Sequence, residues 1–395
     1  MDKVSQYQSP NTSNSFIAVV GGGQLALMLI EAGHRRNIKT GVQTPFKHDP
    51  AVSESSHLVL ADIDDIDGTK KLSEFSKSIT FENEWLNIEN LRSLDLDIDF
   101  TPSLSSLEQL VDKLSQKELL TKLNIPTTKW IELKSIDINN LKLPSGFHFP
   151  LMAKSATGGY DGRGTIKIRD FNELVNVINK VNPSNWLLES WVDYDQELAL
   201  VASRDRNGNI RNFPVVKTYQ HNQICDWVYS PASISHELQL MIYNITTSLL
   251  IELNYVGVIA IEFFYGKDGL LVNEIAPRTH NSGHYSIEAC NTSQFDQQIC
   301  IVANLPVPEI QLISEGAIMI NLLGLTEGNC LSLEERISRI ESLEWANLHW
   351  YGKNLEKPGR KLGHVTVLLK ELDIIEREKE AKNALHKIRS IWPIS

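Results

Sequence analysis

Cysteine is scarce in this 395-residue chain: Cys225, Cys290, Cys300 and Cys330 are the only four, and no two stand in CxxC spacing. That excludes a disulfide-stapled scaffold and a cysteine-rich zinc site, and it predicts a reducing, cytoplasmic setting. No apolar run approaches the length of a membrane-spanning helix, and the first fifteen residues hold no signal-peptide core, so no membrane association is expected. Those residues, 1–15, read as a disordered tail. Basic charge is also in deficit, with 38 Lys and Arg against 49 Asp and Glu for a formal charge of −11. A nucleic-acid surface is excluded, and any anionic ligand must meet locally gathered cations. The chain has no G-x-x-x-x-G-K-[ST] phosphate loop, no internal repeat and no low-complexity tract. What remains is globular in composition and longer than one ordinary domain, which predicts two or three lobes with a cleft available between them.

The most informative stretch runs from Val256 to Ser286, VGVIAIEFFYGKDGLLVNEIAPRTHNSGHYS. Two runs rich in β-branched and aromatic residues flank GKDG, a turn signal, and so predict a β-hairpin. With the loop centred on Asp268 and Gly269 in the left-handed position, Glu262 and Glu274 face one another across the strands. Like charges so placed repel unless a cation sits between them. Two carboxylates with room for substrate phosphates are what Mg²⁺ uses, and Asn273 adds a third oxygen. A solvent-facing hairpin that merely carries two glutamates is the blander reading, disfavoured by the apolar flanks. Beyond the hairpin, APRTHNSGH concentrates Arg278, His280, Asn281, Ser282 and His284 in a stretch too polar for a core strand.

Phe16 to Val20 predict a strand that runs into GGGQLALMLIEAGHRR, a glycine turn and a helix. Gly21, Gly23 and Ala26 satisfy G-x-G-x-x-G/A, the pattern of a dinucleotide site, but the acidic residue due at the end of the second strand, KTGVQT, is missing. The loop reads as structural or as an anion-binding helix N-terminus. HLVLADIDD and SITFENE supply further strand ends, giving a small open α/β unit with Glu82 and Glu84 where such sheets bind ligands, a solvated loop being the equal alternative for the two acids. Residues 107–123 predict one amphipathic helix ending at Asn124. PLMAKS and TIKIR predict strands joined by a loop with four glycines and Tyr160, Asp161 and Arg163, able to donate N–H groups to phosphates beside Lys154. WLLESWV and QELALVASRD place Glu189 and Glu197 near strand ends. After the hairpin, GAIMINLLGL predicts a buried strand. HWYGKNLEKPGRKLGH gathers Lys353, Arg360, Lys361 and His364 into one loop that suggests an anion pocket. The charged helix 371–389 reads as a solvated face.

Taken together, KSATGGYDGRG, VNEIAPRTHNSGHYSIEACNTSQF and HWYGKNLEKPGRKLGHVT resemble the ATP-grasp superfamily, and within it the N5-carboxyaminoimidazole ribonucleotide synthase family. The resemblance covers nearly the whole chain from Phe16. It implies an α/β and α+β architecture: an N-terminal open α/β (pre-ATP-grasp) domain over 16–106, an ATP-grasp domain over 107–315 with a lid subdomain at about 126–190, and a small C-terminal domain over 316–395. It implies an ATP- and bicarbonate-dependent ligase of purine biosynthesis that carboxylates the amine of 5-aminoimidazole ribonucleotide, with Mg²⁺ required and Mn²⁺ as an alternative ion. By resemblance, ATP is bound by Lys113, Lys154, the loop Gly159, Tyr160, Asp161, Gly162, Arg163 and Gly164 with Thr165, the segment Glu189, Ser190, Trp191 and Val192, and Glu197, Gln220, His221, Asn273 and Glu274. Glu262, Glu274 and Asn273 would hold the metal. Glu82, Tyr160, Asp161, Arg163, Arg278, Lys353 and Arg360 would hold the ribonucleotide, and Arg278, His280 and Lys154 would be catalytic. A homodimer and a downstream mutase that receives the product are also implied. The chain departs from the family pattern at Ala26 and Leu27, at Lys113 in place of an arginine, at Gln298 and Cys300 in place of a histidine and an arginine, and at QHNQ, Gln220 to Gln223, in place of H-x-x-G. Rival expectations are another ATP-grasp ligase such as formate-dependent glycinamide ribonucleotide transformylase, a catalytically silent nucleotide-binding paralogue, and an NAD-dependent oxidoreductase.

Overall fold

The structure is a computed structural model that describes residues 16–94, 97–158, 164–325, 331–353 and 355–394. The first layer is an open parallel sheet. Strands β1 (Phe16–Val20), β2 (Lys39–Thr44), β3 (His57–Leu60), β4 (Ser78–Phe81) and β5 (Asp99–Phe100) lie in the order β3-β2-β1-β4-β5. Helices α1 (Gln24–His34), α2 (Ile66–Phe75) and α3 (Ile88–Ser93) connect them. β1 is apolar and buried along nearly its whole length, as a parallel strand covered on both faces must be. The expected single helix over 107–123 is two, α4 (Leu104–Glu108) and α5 (Lys113–Lys122). Asp112 accounts for the break: its carboxylate accepts from Leu114 N and Ser115 N, so it starts a new helix rather than continuing the old one.

A second sheet, where the lid was expected, is four-stranded and antiparallel: β6 (Trp130–Glu132), β9 (Trp186–Ser190), β7 (Leu151–Ser155) and β8 (Thr165–Ile168), backed by α6 (Phe171–Lys180). The largest sheet contains β10 (Gln196–Arg204), β11 (Ile210–Asn212), β12 (Val216–His221), β13 (Ile224–Ser230), β14 (Gly257–Gly266), β15 (Gly269–Ala276), β16 (Gly316–Leu323), β17 (Asn347–Trp350) and β18 (Lys361–Leu369), in the order β15-β14-β10-β12-β13-β16-β18-β17 with β11 on β10. This sheet runs without interruption across position 315–316, because β13 pairs with β16 over Trp227–Ser230. The helices around it are α7 (His236–Glu252), α8 (Ser286–Ala289), α9 (Gln294–Val302), α10 (Leu333–Glu341) and α11 (Ile374–Ile391). α1 and α9 pack face to face through Ala26, Met28, Phe295 and Ile299. Ala26 is therefore a packing residue, and Leu27 lies against the same core. The buried Gln298 amide accepts from Val258 N at 2.7 Å and donates to Thr80 Oγ1 at 2.9 Å. It ties the parallel sheet to the large one.

Lys361 and His364, expected in a loop, belong to β18 instead. The loop preceding them is shorter than its Gly and Pro content suggested.

Candidate active site

The hairpin β14–β15 forms as its sequence predicts, with Glu262 directly opposite Glu274 and Gly269 at φ +82°. The reason for the register differs from the expectation. Gly266 pairs with Gly269, which on its own would set Glu262 against Asn273; a bulge between Glu262 and Phe263 on one side and Val272 and Glu274 on the other inserts Asn273 as the extra residue. The bulge brings the amide into the site beside both acids: Asn273 Oδ1 accepts from Lys154 Nζ at 3.0 Å, and its Nδ2 lies 3.4 Å from Glu262 Oε2.

Electrostatically the two acids are unequal. Burial, then the neighbouring Glu274 and Glu197, raise the Glu262 carboxyl to about 7. Burial also acts to raise Glu274, but the ammonium of Lys113, paired with it directly, and that of Lys154 hold it below its ordinary value. Lys113, at the N-terminus of α5, is thus the cation on Glu274. Two facing carboxylates and an amide oxygen fit a hard divalent ion that completes its shell with phosphate oxygens and water, and suit Mn²⁺ as well as Mg²⁺. Among the described residues no group of three or more His, Cys, Asp and Glu forms a closed cage.

Lys154 projects from β7 between Asn273 and Glu189. Glu189, expected at the adenine, turns its carboxylate inward. Its oxygens lie 2.8 Å from Lys117 Nζ and 2.7 Å from Lys154 Nζ, and both Glu189 and Lys117 are almost wholly buried. Lys117 also donates to the hydroxyls of Thr127 and Thr128. The carboxylate is a structural counter-ion to two lysines. Sequence reading missed Lys117 because nothing in a lysine on a helix marks it as buried. Trp191 and Val192 follow on the rim, with Lys167 3.8 Å over the Trp191 ring. Glu197 lies at the start of β10, raised by burial despite hydrogen bonds from Tyr194 and Gln220. His221 follows Gln220 at the end of β12. Gly158 and Gly164, both at φ +74°, bound the glycine loop, and Thr165 pairs with Lys154. Gly159, Tyr160, Asp161, Gly162 and Arg163 lie outside the described residues.

After β15 the chain turns and presents Arg278 and His280. Arg278 Nε and Nη2 meet Glu84 side-on at 2.5 and 3.3 Å. His280 Nδ1 accepts from Ser282 N, which places the ring hydrogen on Nε2, 3.7 Å from Glu262. Lys353 Nζ donates to Gln24 Oε1 and to the Lys361 carbonyl, each at 2.8 Å, while Arg360 donates to the Leu355 carbonyl at 3.1 Å. His364 is fully buried, bonded to the Tyr351 hydroxyl and stacked on His349 with ring centroids 4.5 Å apart. It is a core residue and not part of an anion pocket.

Glu82, expected at the ribonucleotide, accepts instead from Gly23 N at 2.6 Å and Leu25 N at 3.1 Å. The anion at the N-terminus of α1 is thus the chain's own carboxylate, and the glycine loop exists to admit it. A Cβ on Gly23 would stand 2.4 Å from Glu82 Oε1. The place where a dinucleotide pyrophosphate would sit is taken.

Comparison with known proteins gives the arrangement its context. Family models match along the chain in order: a ribonucleotide synthetase preATP-grasp domain over residues 15–110, an ATP-grasp domain over 118–295 and a phosphoribosylaminoimidazole carboxylase C-terminal domain over 317–378. The N5-carboxyaminoimidazole ribonucleotide synthase of Synechococcus elongatus is 42% identical over 95% of both chains. That of Bacillus subtilis is 34% identical over 89% of this chain and 91% of its own. The Aspergillus clavatus N5-carboxyaminoimidazole synthase, solved with ADP and 5-aminoimidazole ribonucleotide, superimposes with a TM-score of 0.85 at 28% identity over 95% of this chain and 98% of that one. With the paired carboxylates, the lysines that face them and the three-part architecture all in place, the chain belongs to the N5-carboxyaminoimidazole ribonucleotide synthase family of ATP-grasp ligases.

Proposed function

We propose that these residues carry out the ATP-dependent carboxylation of 5-aminoimidazole ribonucleotide by bicarbonate, giving the N5-carboxy product, ADP and phosphate. The observation that carries this reading is the face-to-face pair Glu262 and Glu274, flanked by Lys113 and Lys154 and continued by Arg278 and His280. Bicarbonate is a poor electrophile, so a bicarbonate oxygen takes the γ-phosphoryl group of ATP to give carboxyphosphate and ADP. Carboxyphosphate breaks down to CO₂ and phosphate, and the amine attacks CO₂ and loses a proton to become the carbamate.

The chain's own part is positioning and charge balance. Lys154, with Lys113 near it, offsets charge on the phosphoryl oxygens, and the backbone from Glu189 to Val192 seats the base. Glu197 takes the ribose, with Gln220 and His221 beside it. Arg278 and His280 face the carbonate-derived group. Lys353 and Arg360, with Tyr160, Asp161 and Arg163 of the glycine loop, hold the ribonucleotide, and closure of that loop excludes water that would hydrolyse carboxyphosphate. Glu262, Glu274 and Asn273 would hold Mg²⁺, which when bound neutralises phosphate charge. We assign the three-part division at about 106 and 315, a homodimeric state, a cytoplasmic location and hand-off of the product to a mutase on the same footing.

The deciding measurement is phosphate release from ATP at varied bicarbonate, with and without the ribonucleotide, and with formate as control. Turnover should require bicarbonate and ignore formate. Glu274→Gln should retain the fold and lose at least about a hundredfold in kcat, as expected when charge stabilisation of a phosphoryl group is removed. A folded Glu274→Gln enzyme with wild-type turnover would overturn the metal assignment.

A further inference from the structure

The segment Phe81-Glu82-Asn83-Glu84 leaves the end of β4 and divides its work among three side chains. Glu82 fixes the segment to the N-terminus of α1. Asn83 Oδ1 accepts from Trp85 N at 3.1 Å, and Leu86 N donates to the Glu84 carbonyl at 2.8 Å, so the backbone around Glu84 is held in a turn. Glu84 then reaches out of the parallel-sheet domain to Arg278, 194 residues away, and both side chains are largely buried.

A guanidinium has five N–H bonds in a fixed plane. Glu84 takes the side-on fork, Nε–H and one Nη2–H, and the Thr279 carbonyl takes one Nη1–H at 3.1 Å. Among the described residues this leaves one N–H on each terminal nitrogen, and the one on Nη2, opposite the edge that Glu84 holds, lies on the end-on edge with which a guanidinium grips an oxyanion. Without Glu84, a buried arginine would turn toward another carboxylate, and Glu274 and Glu82 are both near enough to act on its charge. Glu84 also lines a small cleft together with Trp85, Lys113, Gly158 and Glu274.

We propose that Glu84 is a positioning residue for the carboxylation: its side-on grip fixes the plane of Arg278 so that the end-on edge faces bicarbonate and the carboxyphosphate formed from it. The inference rests on the function proposed above and assigns the parallel-sheet domain a direct share in handling the one-carbon substrate. Arg278 touches the reacting group, and Glu84 acts through it.

The test is steady-state kinetics on the full chain for wild type, Glu84→Gln, Glu84→Asp, Arg278→Ala and the double variant Glu84→Gln/Arg278→Ala, reading KM for bicarbonate, KM for ATP and the ratio of carboxylated product to phosphate. Glu84→Gln should raise KM for bicarbonate about tenfold or more, leave KM for ATP within about twofold, and release phosphate in excess of product, with the charged but shorter Glu84→Asp in between. In the Arg278→Ala background, Glu84→Gln should add less than about twofold, because a positioning residue has nothing left to position. The proposal is overturned by a wild-type bicarbonate KM and coupling ratio in Glu84→Gln, by a full multiplicative effect in the double variant, or by ATP and bicarbonate KM rising together. Should Glu84→Gln fail to fold, Glu84→Asp answers the same questions. A wild-type enzyme whose ATP turnover ignores bicarbonate sinks the parent function and this proposal together; a responsive wild type with an indifferent Glu84 sinks this proposal alone.

Discussion

At the residue scale, the tightest electrostatic arrangement lies one step behind the hairpin acids. Glu189 receives Lys117 and Lys154 on its two oxygens in a nearly solvent-free setting. Burial alone would raise its carboxyl, but the two ammoniums bring it to about 2. The folded value is depressed, so the unfolded chain binds the extra proton. The stabilisation is therefore complete above the ordinary value of 4.5 and is lost as pH falls toward 2. A shift of that size corresponds to about 3 kcal/mol, of which about 2 disappears between pH 5 and 3. Urea unfolding at stepped pH should show this acid slope, and Glu189→Gln should flatten it while lowering stability near pH 7 by about 3 kcal/mol, because two buried ammoniums lose their counter-ion. An unchanged slope in Glu189→Gln would show that the pair is not coupled as the geometry indicates. The contrast with Glu262 and Glu274 explains what a sequence reveals. Two acids on adjacent strands repel visibly in the pattern itself, whereas Lys117 and Glu189 are brought together only by the packing of α5 on β9. Gln298, noted in the sequence only as a departure from the family pattern, is likewise explained by packing, since its amide bridges two sheets.

At the scale of elements, the turns carry the argument. The hairpin signal GKDG was legible, since Gly269 takes the left-handed conformation it predicts, but the bulge at Asn273 was not, because a polar residue between Val272 and Glu274 fits an ordinary strand equally well. The single helix expected over 107–123 failed for a related reason: apolar spacing continues through the break, and only the capping carboxylate of Asp112 interrupts it. The β12–β13 turn holds two non-glycine residues in the left-handed region. Asn222 and Gln223 both have positive φ, +49° and +66°. A glutamine held there costs about 1 kcal/mol that glycine avoids. Gln223→Gly should therefore raise stability by about 0.5 to 1 kcal/mol in thermal or urea unfolding, with ATP turnover unchanged. The reverse change, Gly269→Ala, should cost about 1 kcal/mol from backbone conformation alone, since its Cβ would meet nothing within 4 Å. Gly23→Ala should cost more than either, because there the new methyl collides with Glu82. A loss of stability in Gln223→Gly would mean that its side chain makes a compensating contact.

At the scale of the whole molecule, the site is assembled from every part of the chain. Glu84 comes from the parallel sheet, Lys113 from α5, Lys154 from β7, the acids from the hairpin, and Lys353 from the segment between β17 and β18. Lys353 bonds Gln24 across 329 residues, so the end of the large sheet is fastened to the first helix. Nothing in the local sequence announces that contact; the run of cations suggested an anion pocket, and its members sort differently once folded, with Lys353 facing α1 and His364 sealed in the core. The proposed function has the ligands meet groups from separate layers, so binding should stabilise the molecule as a unit and leave a separable signature for each end of the site. ADP with Mg²⁺ at about a hundred times its Kd contributes about 2.7 kcal/mol, enough to move the unfolding midpoint by a few degrees. Lys154→Met should abolish that shift. Lys353→Met should keep it while losing the further rise on adding 5-aminoimidazole ribonucleotide, since the proposed function gives Lys353 to the ribonucleotide and not to the nucleotide. If Lys353→Met removes both shifts in equal measure, nucleotide and ribonucleotide share one set of anchors, and the division of the site between lid and C-terminal segment is wrong.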